Sequence, residues 1–471
     1  MKFNFTIILL KYITLIILLI ICLSCSSDDG SESVIPNSEP GSIKIDDIIL
    51  DGPTITIDWS DAQDEDGDQI FYKLYINSIL ISETTQSISS TTLMYNKDYV
   101  GRIIGTDKKG GTTEVSFEFS SSNSKILFYR DGSGTLYSID LYTLKPIWEA
   151  RTSFIESHTI SGNLIYSGVD GIQGLDILSG ENIWTSMPNT SNNPSEYRNI
   201  IVDETNVFAF DSNSTLYCID KITGGKLWER SFLDYYAPLS IDSDKIFVCS
   251  RNDDHLYAIN KLTGLVDWSY RLSNNTGAAP YIKTNPLIVN NNIYFGDNIG
   301  RFYSFNKNTG SKNWSVNAGQ FNSFYPSPTQ YNESIITGTY STLYSYNMHD
   351  GNTIWQYKDN VGSFRSSPYI YNNKVYIGAS KNGSGELLCL NATNGSVIWR
   401  YDLENDTTTS PIVFEDVVYI GDWNKNMYAI NAETGLLNWK IKSEEVIFKS
   451  PTIVIGEGKS IIYPSVSGLK N

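Results

Sequence analysis

MYAINAETGLLNW, residues 427–439, is the stretch from which the fold can be read. An apolar run ends in Asn431, Thr434-Gly435 follows, and a Trp stands four residues beyond the Gly. Seven earlier stretches repeat this order: LYSIDLYTLKPIW (136–148), GLDILSGENIW (174–184), LYCIDKITGGKLW (216–228), LYAINKLTGLVDW (256–268), FYSFNKNTGSKNW (302–314), LYSYNMHDGNTIW (343–355) and LLCLNATNGSVIW (387–399). Successive tryptophans are 36, 44, 40, 46, 41, 44 and 40 residues apart. A period near forty built on strands is the signature of a β-propeller.

Each repeat divides into four short strand-like runs. In the last full copy these are Ser410–Phe414, Val417–Gly421, Met427–Asn431 and Leu436–Ile441. The Asp/Asn, Thr and Gly between the third and fourth runs predict a tight hairpin, with Gly supplying a positive φ. A four-stranded sheet this small buries neither face alone, so the repeats must stack around an axis. The Trp is expected to wedge between neighbours as buried area.

The pattern x-Tyr-Ala-Ile/Leu-Asp/Asn-x-x-Thr-Gly-x-x-x-Trp resembles the repeat of the pyrroloquinoline-quinone (PQQ)-like propellers. That family includes quinoprotein alcohol dehydrogenases and the non-enzymatic propeller lipoprotein of the outer-membrane barrel-assembly machine. The resemblance runs from about Lys125 to Asn471 and implies an all-β, eight-bladed propeller over 125–471. It does not name a chemistry, because one fold hosts many functions. After Trp439, Pro451–Ile455 and Ser460–Val466 should complete the blade opened by Lys125–Trp148. Since Lys125–Tyr129 also reads as a strand, one run is surplus. Closure of this kind predicts that losing the last twenty residues opens the ring.

Residues 1–24 carry Lys2 and Lys11 ahead of a short apolar run, Tyr12–Leu23, and read as a secretory signal too short to span a membrane. Ser24-Cys25-Ser26-Ser27-Asp28-Asp29 resembles a bacterial lipoprotein processing site, which would make Cys25 the lipid-modified first residue. Cys22 departs from the usual Leu at minus three. The acidic pair after Cys25 resembles a signal for export to the cell surface. Residues 25–40, rich in Ser, Asp, Glu, Gly and Pro, read as a flexible tether.

From 41 to 121 the alternation changes. Ile43–Ile45, Ile55–Trp59, Phe71–Ile76 and Arg102–Gly111 predict a small β-sandwich. It resembles a fibronectin type III or immunoglobulin-like domain, with Trp59 as the core Trp and Tyr99 in the place of the tyrosine corner.

Lys plus Arg number 35 against 52 Asp plus Glu, a net charge of −17. That balance opposes nucleic acid or an anionic bilayer as electrostatic partners, so membrane attachment would depend on lipid. Cys218 and Cys389 occupy a slot held by Ala258, Ser304 or Ala429 elsewhere and read as buried thiols. A Cys218–Cys249 bridge would have to cross blades, and no Cys-x-x-Cys or Cys/His zinc spacing occurs.

The dehydrogenases of the family carry a catalytic Asp, calcium ligands and adjacent cysteines. None of these maps onto this chain, so no catalytic residue and no PQQ are expected. His158, His255 and His349 fall in loops or turns of separate repeats with no partner at triad or metal spacing.

Two constellations remain. Asp61-Ala62-Gln63-Asp64-Glu65-Asp66-Gly67-Asp68 offers Asp64, Asp66 and Asp68 as hard oxygen ligands for calcium, against the alternative of a solvated acidic turn. In the propeller, Tyr235, Lys283, Tyr325, Arg365, Thr408 and Phe448 each stand three residues before the Pro of a first strand and should ring one mouth of the channel. Asp131, Asp170, Asp211, Asp253, Asp297, Tyr340 and Trp423, between second and third strands, should flank that mouth as a largely acidic rim. Such a ring suits a protein, peptide, glycan or anionic ligand. The expectation is a lipid-anchored, outer-membrane binding or scaffold protein. An outer-membrane assembly factor and a PQQ-dependent dehydrogenase are the alternatives.

Overall fold

A computed structural model of the protein describes residues 36–152, 159–168, 171–187, 197–232, 238–249, 254–272, 280–282, 284–319, 322–358, 362–458 and 460–462. The leader and Cys25 lie outside these. Every regular element among the described residues is a β-strand. The chain divides into two compact units. One holds the described residues up to Ile48 with Thr56–Ser90 and Tyr99–Phe119; the other holds Ile49–Ile55, Thr91–Asp98 and the described residues from Ser120.

Seven strands make the N-terminal sandwich: β1 (Ile45–Asp51), β2 (Thr54–Trp59), β3 (Phe71–Ile76), β4 (Ile79–Thr84), β5 (Ile88–Thr92), β6 (Asp98–Thr106) and β7 (Thr112–Ser120). They form a sheet in the order β1-β2-β5 and a second in the order β4-β3-β6-β7. Alternation decides the core: Ile55, Ile57 and Trp59 from β2 are buried, as are Tyr72, Leu74 and Ile76 from β3. Trp59 meets Tyr72 edge-on, ring centroids 5.6 Å apart. Tyr99 stacks on Phe119 of the neighbouring strand, at 5.6 Å.

Beyond the sandwich, eight sheets follow one another among the described residues. Sheets two to eight run through 159–186, 198–231, 239–271, 287–317, 329–358, 363–403 and 412–442. In sheet eight the strands are Ile412–Phe414, Val417–Gly421, Asn426–Asn431 and Leu437–Lys442, close to the runs read from the sequence. The first begins after Pro411, which has no N–H for the ladder.

Sheet one is composite. It joins β8 (Lys125–Arg130), β9 (Thr135–Asp140) and β10 (Pro146–Arg151) to Thr452–Ile455, which pairs antiparallel with β8, Ile453 opposite Leu127. The surplus run, Ser460–Ile462, adds a fifth strand on the far side of Thr452–Ile455.

Each boundary between consecutive sheets has its own apolar cluster. Ile126, Phe128 and Leu136 meet Ile160 and Ile165 at the first boundary. At the last, Ile412, Met427 and Ile447 of the final repeat meet Leu127, Tyr129 and Ile139 of the first, so the series closes on itself.

The repeat letters have physical roles. The Asp or Asn accepts backbone N–H groups two and three residues on and the Thr or Ser hydroxyl, as Asn260 does from Leu262, Thr263 and Thr263 Oγ1. The small-residue slot faces the Trp across the hairpin: Ala258 opposite Trp268, Cys218 opposite Trp228, Cys389 opposite Trp399. A larger side chain there would compete with the indole for space.

The Trp does more than fill space. In six copies its Nε1 donates to the carbonyl of the residue following the Asp/Asn of the next repeat: Trp148 to Ile177, Trp228 to Lys261, Trp268 to Lys307, Trp314 to Met348, Trp355 to Ala392 and Trp399 to Ala432, at 2.9–3.2 Å, whereas Trp184 Nε1 is buried without a partner among the described residues. The indole face lies on that repeat's turn Gly. At Gly310, φ is +70° and a Cβ would stand 2.6 Å from Trp268, so only Gly meets both conditions.

Candidate functional site

The prolines that open the first strands organise one end of the propeller. A residue before Pro is held extended, which points its N–H away from its own sheet. Those donors run between blades: Asn285 N–H to Ser327 Oγ (3.2 Å), Ser327 N–H to Ser367 Oγ (3.0 Å), Ser367 N–H to Ser410 Oγ (2.9 Å) and Ser410 N–H to Ser450 Oγ (2.8 Å). The serines beside these prolines, and not the prolines alone, link the blades. Their recurrence one residue before Pro328, Pro368, Pro411 and Pro451 was the available signal.

Two residues upstream of these serines stand the expected ring positions. Tyr325 and Arg365 come together, the Arg365 guanidinium lying 6.0 Å from the Tyr325 ring centroid and 5.9 Å from that of Tyr340. Thr408 and Phe448 come together on the next blades. Thr408 Oγ1 donates to the Phe448 carbonyl at 3.3 Å and receives Trp423 Nε1–H at 3.4 Å. Tyr340, Arg365 and Trp423 are exposed; Tyr325, Thr408 and Phe448 are half-buried. Tyr235, Lys283, Asp170, Asp253 and His158 lie outside the described residues.

Loops between second and third strands lie against the incoming segments, as Phe364 N–H bonds the Tyr340 carbonyl and Trp423 N–H bonds that of Asp406. The acids among the described residues do not form the expected rim. Asp131, Asp211 and Asp297 are fully buried, as is Asp422. One oxygen of each takes backbone N–H groups two and four residues on, and the other takes the phenol of a Tyr six residues on. Turn and phenol pull the carboxylate inward, because a buried charge needs this many donors to stay. Burial still pushes the Asp297 carboxyl up. The Asp-to-Tyr offset of six, constant in four copies, was the legible sign.

In the sandwich, carboxylate oxygens of Asp64, Asp66 and Asp68 lie within 4.8 Å of one another. The loop supplies much of its own balance: Asp64 Oδ1 accepts from the Asp66 and Asp68 amides, Asp66 Oδ2 from the Ser38 amide, and Lys109 Nζ sits 2.7 Å from Asp68 Oδ1.

Cys218, Cys249 and Cys389 are free and buried. Burial raises all three thiols, Cys218 and Cys389 to about 12, which leaves them unreactive at neutral pH. His255 opens a strand and stacks on Tyr257; it does not sit in a turn. His349 faces Glu333 at 2.7 Å on the surface.

The protein family described as outer membrane protein assembly factor BamB matches residues 97–234, 212–384 and 339–465. The chain is 22% identical over 288 residues to the assembly factor of that name from Moranella endobia, covering 55% of this chain and 71% of the relative. Others of that name are spanned less fully, one over 54% of its length. The crystal structure of BamB from Moraxella catarrhalis superposes with a TM-score of 0.53 at 16% identity, over 65% of this chain and 95% of that one. A quinohemoprotein alcohol dehydrogenase from Comamonas testosteroni gives 0.51 at 10% identity, over 64% and 70%. These structural likenesses speak to the fold, whereas the three overlapping family matches cover most of the sequence: the chain belongs to the BamB-type family of PQQ-like repeat propellers.

Proposed function

We propose that this protein is a non-catalytic envelope scaffold of the outer-membrane assembly type, tethered by lipid at Cys25 and docking a protein partner on the propeller mouth that carries Tyr325, Arg365, Thr408 and Phe448. The fibronectin-like sandwich would act as the spacer. One observation carries the reading: the loop acids of this end turn inward onto tyrosines, while Tyr340, Arg365 and Trp423 stay exposed. Large aromatics and Arg are the side chains that anchor protein interfaces. The family match supports the assembly role, and three separate buried thiols give no support to a quinoprotein site.

Affinity purification from crosslinked envelopes tests it, with wild type beside the Tyr325→Ala, Arg365→Ala double variant. A defined envelope protein recovered with wild type and lost with the variant is expected. Recovery of the chain alone, or of the same partner with both proteins, overturns the docking face.

A further inference from the structure

Arg365 is an exposed cation in a protein of net charge −17, and among the described residues no carboxylate faces it. Its contacts are the faces of Tyr325 and Tyr340. Elsewhere the propeller pairs cations with acids: Lys381 and Arg400 share the buried Glu386, Lys261 meets Asp203 and Lys245 meets Asp267. Two tyrosine rings stand about 6 Å from the guanidinium carbon of an exposed Arg, and the guanidinium fork is the group that binds a carboxylate through two parallel hydrogen bonds. Holding a long side chain in place beforehand lowers the entropy lost when a ligand arrives.

On the blades that follow lie Trp423 and Phe448, joined through Thr408. They offer aromatic faces at the same end of the propeller, with the Lys449 ammonium 5.7 Å from the Phe448 ring centroid. A site for phosphate-rich ligands would cluster several arginines, and a site for an apolar peptide would have no use for an unpaired one.

Resting on the scaffold reading above, we infer that the mouth recognises an acidic peptide segment: a Glu or Asp side chain takes the edge of Arg365, and a neighbouring apolar side chain lies on Trp423 and Phe448. The partner is thus an envelope protein with an exposed acidic-apolar stretch.

Fluorescence anisotropy on the detergent-solubilised full chain tests this, using a labelled octapeptide alternating Glu with Leu and its counterpart with Gln. Wild type should favour the Glu peptide about tenfold, the difference a charge-assisted bidentate pair supplies. Arg365→Gln should abolish that preference, and Arg365→Lys should restore only part of it because the fork is lost. Trp423→Ala should weaken both peptides alike. Equal binding of the two peptides by wild type, a preference that survives in Arg365→Gln, or equal displacement by millimolar inorganic phosphate would each overturn the inference. A partner captured through Tyr325 and Arg365 without any Glu preference leaves the scaffold reading standing and removes only the acidic recognition. Charge-selective peptide binding with no partner captured does the reverse.

Discussion

The boundary between sheets four and five and the boundary where the last repeat meets the first do the same job by different means. At the former, Trp268 lies on Gly310, its indole N–H bonds the Lys307 carbonyl at 3.0 Å, and the Lys307 ammonium pairs with Asp242. At the latter, Leu144 holds the turn position with φ +56°, and no indole hydrogen bond from Trp439 is formed among the described residues. What joins the ends there is backbone pairing of Thr452–Ile455 with β8, an apolar cluster, and the Lys125–Glu415 pair at 2.6 Å. Side-chain docking suffices where the chain runs on from one repeat to the next. Closure has to join the two ends of the series and relies on a strand ladder.

Truncation before Thr452 is therefore the most damaging change expected. It removes the pairing strand of β8 and bares an edge. Such a chain should show no cooperative thermal transition and should be cleaved quickly by protease. A melt within a few degrees of full length would mean that the apolar cluster alone closes the ring.

Gly310→Ala should come next, at about 3 kcal/mol, because the left-handed backbone costs about 1–2 kcal/mol for a residue with Cβ and the methyl must push Trp268 aside. Gly383→Ala, also at positive φ but with open space around it, should cost only the backbone part, about 1 kcal/mol. At the closing boundary the sign reverses: Leu144→Gly relieves a positive φ and should be neutral or stabilising by up to about 1 kcal/mol. Urea midpoints with unchanged slopes would measure all three. A loss at Leu144→Gly as large as that at Gly310→Ala would erase the contrast between the boundaries.

These glycines show what the sequence could disclose. Asn306-x-x-Thr309-Gly310 was readable because its purpose is local, an Asx turn ending in a left-handed residue. That Gly310 also receives the tryptophan of the preceding repeat is a contact between residues about forty apart, and a spacing does not reveal it. The acidic rim failed for a related reason. Asp297 was read as a polar loop residue by type, yet Tyr303 six positions on draws it inside. Of the ring, the Tyr325–Arg365 neighbourhood followed from aligning the prolines, and Tyr340 from its place between second and third strands, in the loop that bonds Phe364.

A further expected effect concerns pH, and it separates the two boundary types again. Burial pushes the Asp203 carboxyl up, but Lys261, 2.7 Å away, and the Thr205 and Asn206 amides more than offset it, so it titrates below the ordinary aspartate value of 3.8. Asp242 follows the same pattern, its burial outweighed by Lys307. A carboxyl with a depressed folded value binds fewer protons than it does in the unfolded chain. Its stabilisation is complete above the unfolded value and is lost as pH falls through the folded one. Each pair, mostly buried, should contribute about 1–2 kcal/mol at neutral pH. Asp203→Asn, Asp242→Asn should thus lower the urea midpoint at pH 7, and its curve should converge on wild type as pH falls from the ordinary aspartate value of 3.8 through the depressed folded one. Parallel curves down to the acid end would show that the lysines contribute through their packed stems, as Met348 and Ala392 do at the same position in later repeats, and that charge adds nothing to the docked boundaries.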